Sequence, residues 1–238
     1  ASQAVTLSSS NSTIGGTVTM NASAGIANFV GKGVKLTGLV GSRNLTATIS
    51  SPSDITRTNN VTITFGAANK LALTTSAAGA ANDVSFTTQP VVTIQDVSGN
   101  TVANSTASVT ASTTGVTLGG TSVANAQSGV ATFANLKLTG ATASYTITYS
   151  ATGLVATSQS ITLNAGAASK LTLIQNALGA ASRTAFATQP IVEIQDASGN
   201  RVPGTTNSIT VSSSGATLGG DVTMAAVNGT ATFSSNTN

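Results

Sequence analysis

Hydrophobic and polar positions alternate along this chain with a period of two. In Pro90-Val-Val-Thr-Ile-Gln95, Val92 and Ile94 flank Thr93, and one hundred residues later Val192 and Ile194 flank Glu193. A position that accepts threonine or glutamate faces water, and one that keeps a branched aliphatic faces a core, so each segment is a strand buried on one face. Both strands run into the same turn, Asp96-Val-Ser-Gly-Asn100 and Asp196-Ala-Ser-Gly-Asn200. There the aspartate is expected to accept backbone N–H bonds, and Gly99 or Gly199 to supply a positive φ before the chain reverses.

The pattern is one of repeats, the feature to seek before any other. Gly66-Ala-Ala-Asn-Lys-Leu71 returns as Gly166-Ala-Ala-Ser-Lys-Leu171, Gly119-Gly120 as Gly219-Gly220, and Gly129-Val-Ala-Thr-Phe133 as Gly229-Thr-Ala-Thr-Phe233. At an offset of 104, Val5, Gly15-Gly16, Gly25 and Phe29 stand where Val109, Gly119-Gly120, Gly129 and Phe133 stand later. One complete unit spans 66–165, with the later part of a unit before it (1–65) and the early part of another after it (166–238).

Aligning the copies sorts inside from outside. Leu71 and Leu73 match Leu171 and Leu173; Phe86 matches Phe186; Ala27 and Phe29 match Ala131 and Phe133, then Ala231 and Phe233. Leu45, Ala47 and Ile49 align with Tyr145, Ile147 and Tyr149, and Val61 and Ile63 with Ile161 and Leu163. Each unit of about 100 residues thus carries about seven short strands, the number expected of an immunoglobulin-like sandwich. Inward parity slips between Phe133 and Leu136, the mark of a bulge or kink. The first copy inserts two residues near Gly31-Lys32, which is expected to place Lys32 and Lys35 on a protruding loop. The links 64–68 and 164–168 contain neither a long Gly/Ser run nor a proline spacer, so consecutive domains should abut in a rod-like array. No segment shows a sustained helical period.

Composition narrows the class. The 238 residues are 40% hydrophobic but only 6% charged, against roughly 25% in ordinary domains. Serine and threonine make up about 30%, so the polar positions are hydroxyls, and threonine suits strands. A surface of Ser, Thr, Asn and Gly lets copies pack side by side with little repulsion, whereas soluble monomers generally intersperse charges. Nine cations against six acids give a pI near 9.6. The cations are scattered without a basic stripe or stacking aromatics, which argues against nucleic acid. No apolar run approaches the ~20 residues of a membrane helix. Ala1-Ser-Gln-Ala-Val-Thr lacks the basic start and apolar core of a signal peptide, so an export signal would lie outside this segment.

Candidate chemistry is sparse. The chain has no histidine and no cysteine, which removes Ser-His-Asp triads, thiol chemistry and most zinc sites. Its acids are Asp54, Asp83, Asp96, Glu193, Asp196 and Asp221, and the equivalent pair 96 and 196 lies a whole repeat apart, so no carboxylate pair for hydrolysis is expected. No catalytic, cofactor-binding or metal-binding residue is assigned. The Asp-x-Ser-Gly-Asn turns leave calcium as an alternative, but calcium wants six to eight oxygens and each turn offers one carboxylate. The Gly-Gly pairs lack the Lys-Ser/Thr of a phosphate loop and read as turns or sandwich corners. Glycosylation acceptor patterns at Asn11, Asn21, Asn44, Asn60, Asn104 and Asn228 are no more numerous than chance gives in so hydroxyl-rich a chain.

The string Val91-Val-Thr-Ile-Gln-Asp-Val-Ser-Gly-Asn-Thr-Val102, followed by Gly129-Val-Ala-Thr-Phe133 and Tyr145-Thr-Ile-Thr-Tyr149, resembles the bacterial immunoglobulin-like repeats of invasin/intimin-type adhesins and other giant surface proteins. The resemblance implies a non-enzymatic β-sandwich module, extracellular or on the cell surface, in a stalk, surface layer or filament. Its expected partners are adjacent repeats or further copies of itself. The alternative is an adhesin module that binds glycan or host protein through sandwich-end loops. The partial copies at 1–65 and 166–238 have two explanations, a window on a longer chain or a subunit whose missing strands a neighbour supplies; the fragments together exceed one unit, which favours the window.

Overall fold

A computed structural model describes residues 3–50 and 55–234. All helix or sheet structure among these residues is strand. The first copy forms β1 (Ala4–Ser8), β2 (Thr13–Gly15), β3 (Thr19–Asn21), β4 (Lys35–Thr37), β5 (Gly41–Ile49) and β6 (Ile55–Ile63). The middle copy forms β7 (Lys70–Thr75), β8 (Val91–Gln95), β9 (Ser108–Ser112), β10 (Thr117–Gly119), β11 (Val123–Asn125), β12 (Val130–Thr132), β13 (Lys137–Thr139), β14 (Ser144–Ser150) and β15 (Thr157–Thr162). The last copy forms β16 (Lys170–Gln175), β17 (Ile191–Gln195), β18 (Ser208–Thr210), β19 (Thr223–Ala225) and β20 (Thr230–Thr232).

The middle copy is a β-sandwich with sheets ordered β12-β8-β7 and β11-β9-β14-β15, plus a β10–β13 ribbon. Its fourth sheet strand, β11, pairs with β9 rather than with β12, giving a three-plus-four division in place of the four-plus-three of antibody constant domains. Inward side chains meet in one core where Val92, Ile94, Val109, Phe133, Leu136, Leu138, Ile147 and Tyr149 are fully buried. The Phe133 and Tyr149 rings lie 5.5 Å apart in a tilted pair, a favourable aromatic geometry. The edges of the two sheets are tied together: Leu71 N–H donates to Val155 O, Val155 N–H to Asn69 O, and the Gln159 amide grips both N and O of Ala77.

The flanking copies contain complementary parts of this pattern. The first has the four-stranded sheet, β3-β1-β5-β6, and the β2–β4 ribbon; the last has the three-stranded sheet, β16-β17-β20, and the β18–β19 pair. Outer faces carry cross-strand hydroxyl pairs in each copy, as in Thr6–Thr19, Thr46–Thr58, Ser144–Thr162 and Thr210–Thr223. Hydroxyls therefore satisfy one another where other domains place charges.

The parity slip after Phe133 has a visible cause. Asn135 takes a positive φ of 56°, which turns Leu136 back to the core, and the Gln89 amide holds both Leu136 N and O. A Cβ on Gly120 would overlap the Asn135 carbonyl, so this glycine marks the close approach of two backbones at that kink.

Four expectations need correction. Thr93, expected to face water, is buried in the middle of its sheet, its hydroxyl donating to Ala72 O. Leu171 and Leu173, matched to the inward Leu71 and Leu73, are exposed, because burial on that face needs the facing sheet. Leu7 faces Ala47 and Ala111 faces Tyr149, so Ala47 is the counterpart of Tyr149, Leu45 of Ile147, and Arg43 of Tyr145; the alignment of this strand was displaced by two residues. The insertion near Gly31 sets the offset between copies at 102 through this strand, and it becomes 100 only beyond the β5–β6 hairpin, which is itself two residues longer than β14–β15. Lys35 also does not lie on the protruding loop. It starts β4 opposite Gly15, as Lys137 stands opposite Gly119, because after the insertion it occupies Lys137's position. Lys32 does lie in an exposed turn, its N–H donating to Phe29 O. Of the six acids, Asp54 falls outside the described residues.

Candidate functional site at the junctions between copies

The most polar buried constellations lie where one copy meets the next. Each is built on the Asp-x-Ser-Gly-Asn turn. The turn closes as expected, with Asp96 N–H donating to Asn100 O and Gly99 N–H to Asp96 O, and Gly99 at a φ of 88°. Asp196, Gly199 and Asn200 repeat this arrangement.

The aspartate then does more than cap its turn. Asp96 Oδ1 accepts Asn100 N–H at 2.9 Å, while Oδ2 accepts Asn100 Nδ2 at 2.9 Å and the N–H of Gly66, in the link to the first copy, at 2.8 Å. The Asn100 carboxamide, fixed by that carboxylate, reaches into the first copy. Its Nδ2 donates to Gly38 O (3.1 Å) and its Oδ1 accepts Val40 N–H (2.8 Å). One repeat later the contacts recur: Asn200 Nδ2 donates to Gly140 O (2.8 Å), Oδ1 accepts Thr142 N–H (2.9 Å), and Asp196 Oδ2 accepts Gly166 N–H (2.9 Å). A carboxamide matched to one C=O and one N–H pairs two backbone groups of a half-buried loop at once.

The second junction has an additional member. Asn82, on the loop between β7 and β8, donates through Nδ2 to Asp196 Oδ2 (3.0 Å) and Ser198 Oγ (2.9 Å), and its Oδ1 accepts Gly140 N–H (2.9 Å). Its backbone carbonyl lies so close to the link that a Cβ on Gly166 would come within 2.5 Å of it, whereas a Cβ on Gly66 would meet the Asp96 side chain, no nearer than 3.5 Å.

These donors set the charge state. Gly66 N–H, followed by the Asn100 amide, lowers the Asp96 pKa to about 2. Burial pushes Asp196 upward, but the donors from Asn200, Gly166 and Asn82 outweigh it and leave its pKa also at about 2. Both are therefore anions at neutral pH, with lone pairs directed at N–H groups, and a calcium ion would have to displace those donors. Among the described residues no three His, Cys, Asp or Glu side chains gather as a metal set. Asp83 instead pairs with Lys137 at the surface (2.6 Å), and Glu193 lies 3.6 Å from Arg201. The sequence identified Asp96 and Asp196 as turn formers but missed Asn100, Asn200, Gly66, Gly166 and Asn82 as junction residues. The paired recurrence of Gly66/Gly166 and Asn100/Asn200 was the available signal.

No protein-family model matches the chain, and no curated protein matches its sequence. Among solved structures, a β-glycosidase from Bacteroides vulgatus is similar at 15% identity over 68% of this chain and 21% of that one, with a TM-score of 0.35. A β-glucuronidase from Parabacteroides merdae is similar at 11% identity over the same shares, with a TM-score of 0.32. Domains 1–6 of the surface layer protein SbsC are similar at 16% identity over 74% of this chain and 24% of that one, with a TM-score of 0.30. The chain spans about a quarter or less of these proteins. Likenesses at such TM-scores carry no argument, and the fold rests on the strands and sheets described above.

Proposed function

We propose that this chain is a non-enzymatic structural module of a bacterial surface or extracellular protein, a stalk, surface layer or filament of tandem immunoglobulin-like repeats. One observation carries the reading: five of the six buried polar side chains among the described residues, Asp96, Asn100, Asp196, Asn200 and Asn82, form the networks through which one copy bonds the next, Thr93 being the sixth. A module that transmits position needs its copies held at fixed angles, and carboxamides fixed by a buried carboxylate make directional bonds able to do so. Small-angle scattering of the 238-residue chain tests it. An extended particle of constant shape, made flexible by Asn100→Ala with Asn200→Ala, is expected; a compact single-domain profile overturns it. The alternative of a ligand-binding adhesin has one observation in its favour, an open groove of about 730 Å³ at the second junction, bordered by Ser144, Thr162, Leu163, Arg201 and Pro203. Saturable glycan binding abolished by Arg201→Ala would favour it.

A further inference from the structure

The two loops that receive the asparagines are each braced from behind by one side chain. Tyr145 Oη donates to Ala141 O at 2.8 Å, and Arg43 Nη2 donates to Leu39 O at 2.6 Å. Arg43 faces Val61 in the β5–β6 ladder as Tyr145 faces Ile161 in β14–β15. Leu39 lies between Gly38 and Val40 as Ala141 lies between Gly140 and Thr142. Two chemically unrelated side chains therefore converge on the same carbonyl from the same strand position.

A tyrosine bonded back to the backbone a few residues upstream is a known corner device of these sandwiches. As a corner it stabilises its own domain and says nothing of a neighbour. Here the braced carbonyl sits between the two groups that grip the next copy, Gly140 O and Thr142 N–H. The braced carbonyl shares its peptide plane with Thr142 N–H, so rotation of that peptide would turn this donor away from the Asn200 carboxamide. A loop already fixed in its docked shape loses less freedom on docking.

We propose that Tyr145 and Arg43 are positioning residues of the junctions, presetting each loop for the incoming asparagine; the proposal rests on the junction reading above. What the position requires is a donor with enough reach to the carbonyl, not an aromatic ring. The chain has no native cysteine, so spin labels on Thr146→Cys and Ser208→Cys, both at exposed positions, report the distance between middle and last copies in the full chain. A single narrow distribution is expected for the parent and its loss for Asn200→Ala. Tyr145→Phe should also lose the narrow peak, Tyr145→Arg should keep it, and Tyr145→Phe with Asn200→Ala should be no broader than Asn200→Ala alone. Thermal unfolding of the same variants separates the roles. A Tyr145→Phe protein that melts earlier but keeps the narrow peak makes Tyr145 only a corner and overturns the proposal, as does a Tyr145→Arg protein as broad as Tyr145→Phe. If Asn200→Ala leaves the distribution unchanged, the junction reading itself fails and the proposal falls with it.

Discussion

Leu71 and Leu171 occupy the same position in consecutive copies, yet Leu71 is 4% exposed and Leu171 is 59% exposed. Their strands pair identically: Leu71 faces Ile94 and Leu171 faces Ile194, with the same register irregularity a few residues on. The difference comes from the opposite sheet. Over Leu71 lie β14 and β15, whereas the last copy's core is confined to Val192, Ile194, Ile209, Ala226, Ala231 and Phe233 with their neighbours. Local sequence and cross-strand pairing make the strand; burial comes only from the second layer.

Truncating the two leucines is the severest test of that contrast. Leu71→Ala removes a buried side chain from a closed core and should cost about 2–5 kcal/mol. Leu171→Ala should cost less than about 0.5 kcal/mol, as surface changes do. Urea unfolding followed by tyrosine fluorescence suits the first, because Tyr145 and Tyr149 are the chain's two tyrosines and it has no tryptophan. Equal costs would mean that pairing, not the facing sheet, sets the energetics.

The two link glycines give the next largest difference. Gly166→Ala drives a methyl against the Asn82 carbonyl, backbone against which little can yield, and should cost about 1–3 kcal/mol as overpacking does. Gly66→Ala meets only ordinary contact and should leave the first junction intact. Hydrogen exchange at Thr142 and Val40 N–H separates the outcomes: protection lost at Thr142 but kept at Val40 is expected, and loss at both or neither would remove the asymmetry.

Much of the fold was legible because a buried face leaves a period of two. The inward sets Val92/Ile94 and Ala131/Phe133, and the kink before Leu136, were all visible as alternation or its failure. The β5 alignment was not, because a displacement of two residues keeps every side chain on its own face; only pairing with β1 fixes it. The junction was half legible. An aspartate before Ser-Gly signals a turn by its own chemistry. The partners of Asn100 and Asn200 are backbone groups of distant loops, and a backbone group has no residue identity to recognise. Arg43 and Tyr145 were obscured similarly, since one task is performed by two dissimilar side chains.

Asn82 sharpens the contrast between junctions through pH. Both aspartates have folded pKa values of about 2, below the ~3.9 of an unfolded aspartate. A depressed pKa contributes stability that is present above the unfolded value and lost as pH falls toward the folded one, so both junctions should hold at neutral pH and loosen between about pH 4 and 2. Asn82→Ala removes a donor from Asp196 alone. Its folded pKa should rise, so the second junction should start to open at a higher pH than in the parent chain, while the first is unchanged. The effect is the smallest of these, because Asn200 and Gly166 still hold the carboxylate. Carboxylate carbon shifts of Asp96 and Asp196, followed by NMR through an acid titration, measure it directly. A shift in the Asp96 midpoint on removing Asn82, or none in that of Asp196, would mean that the junctions do not act as separate latches.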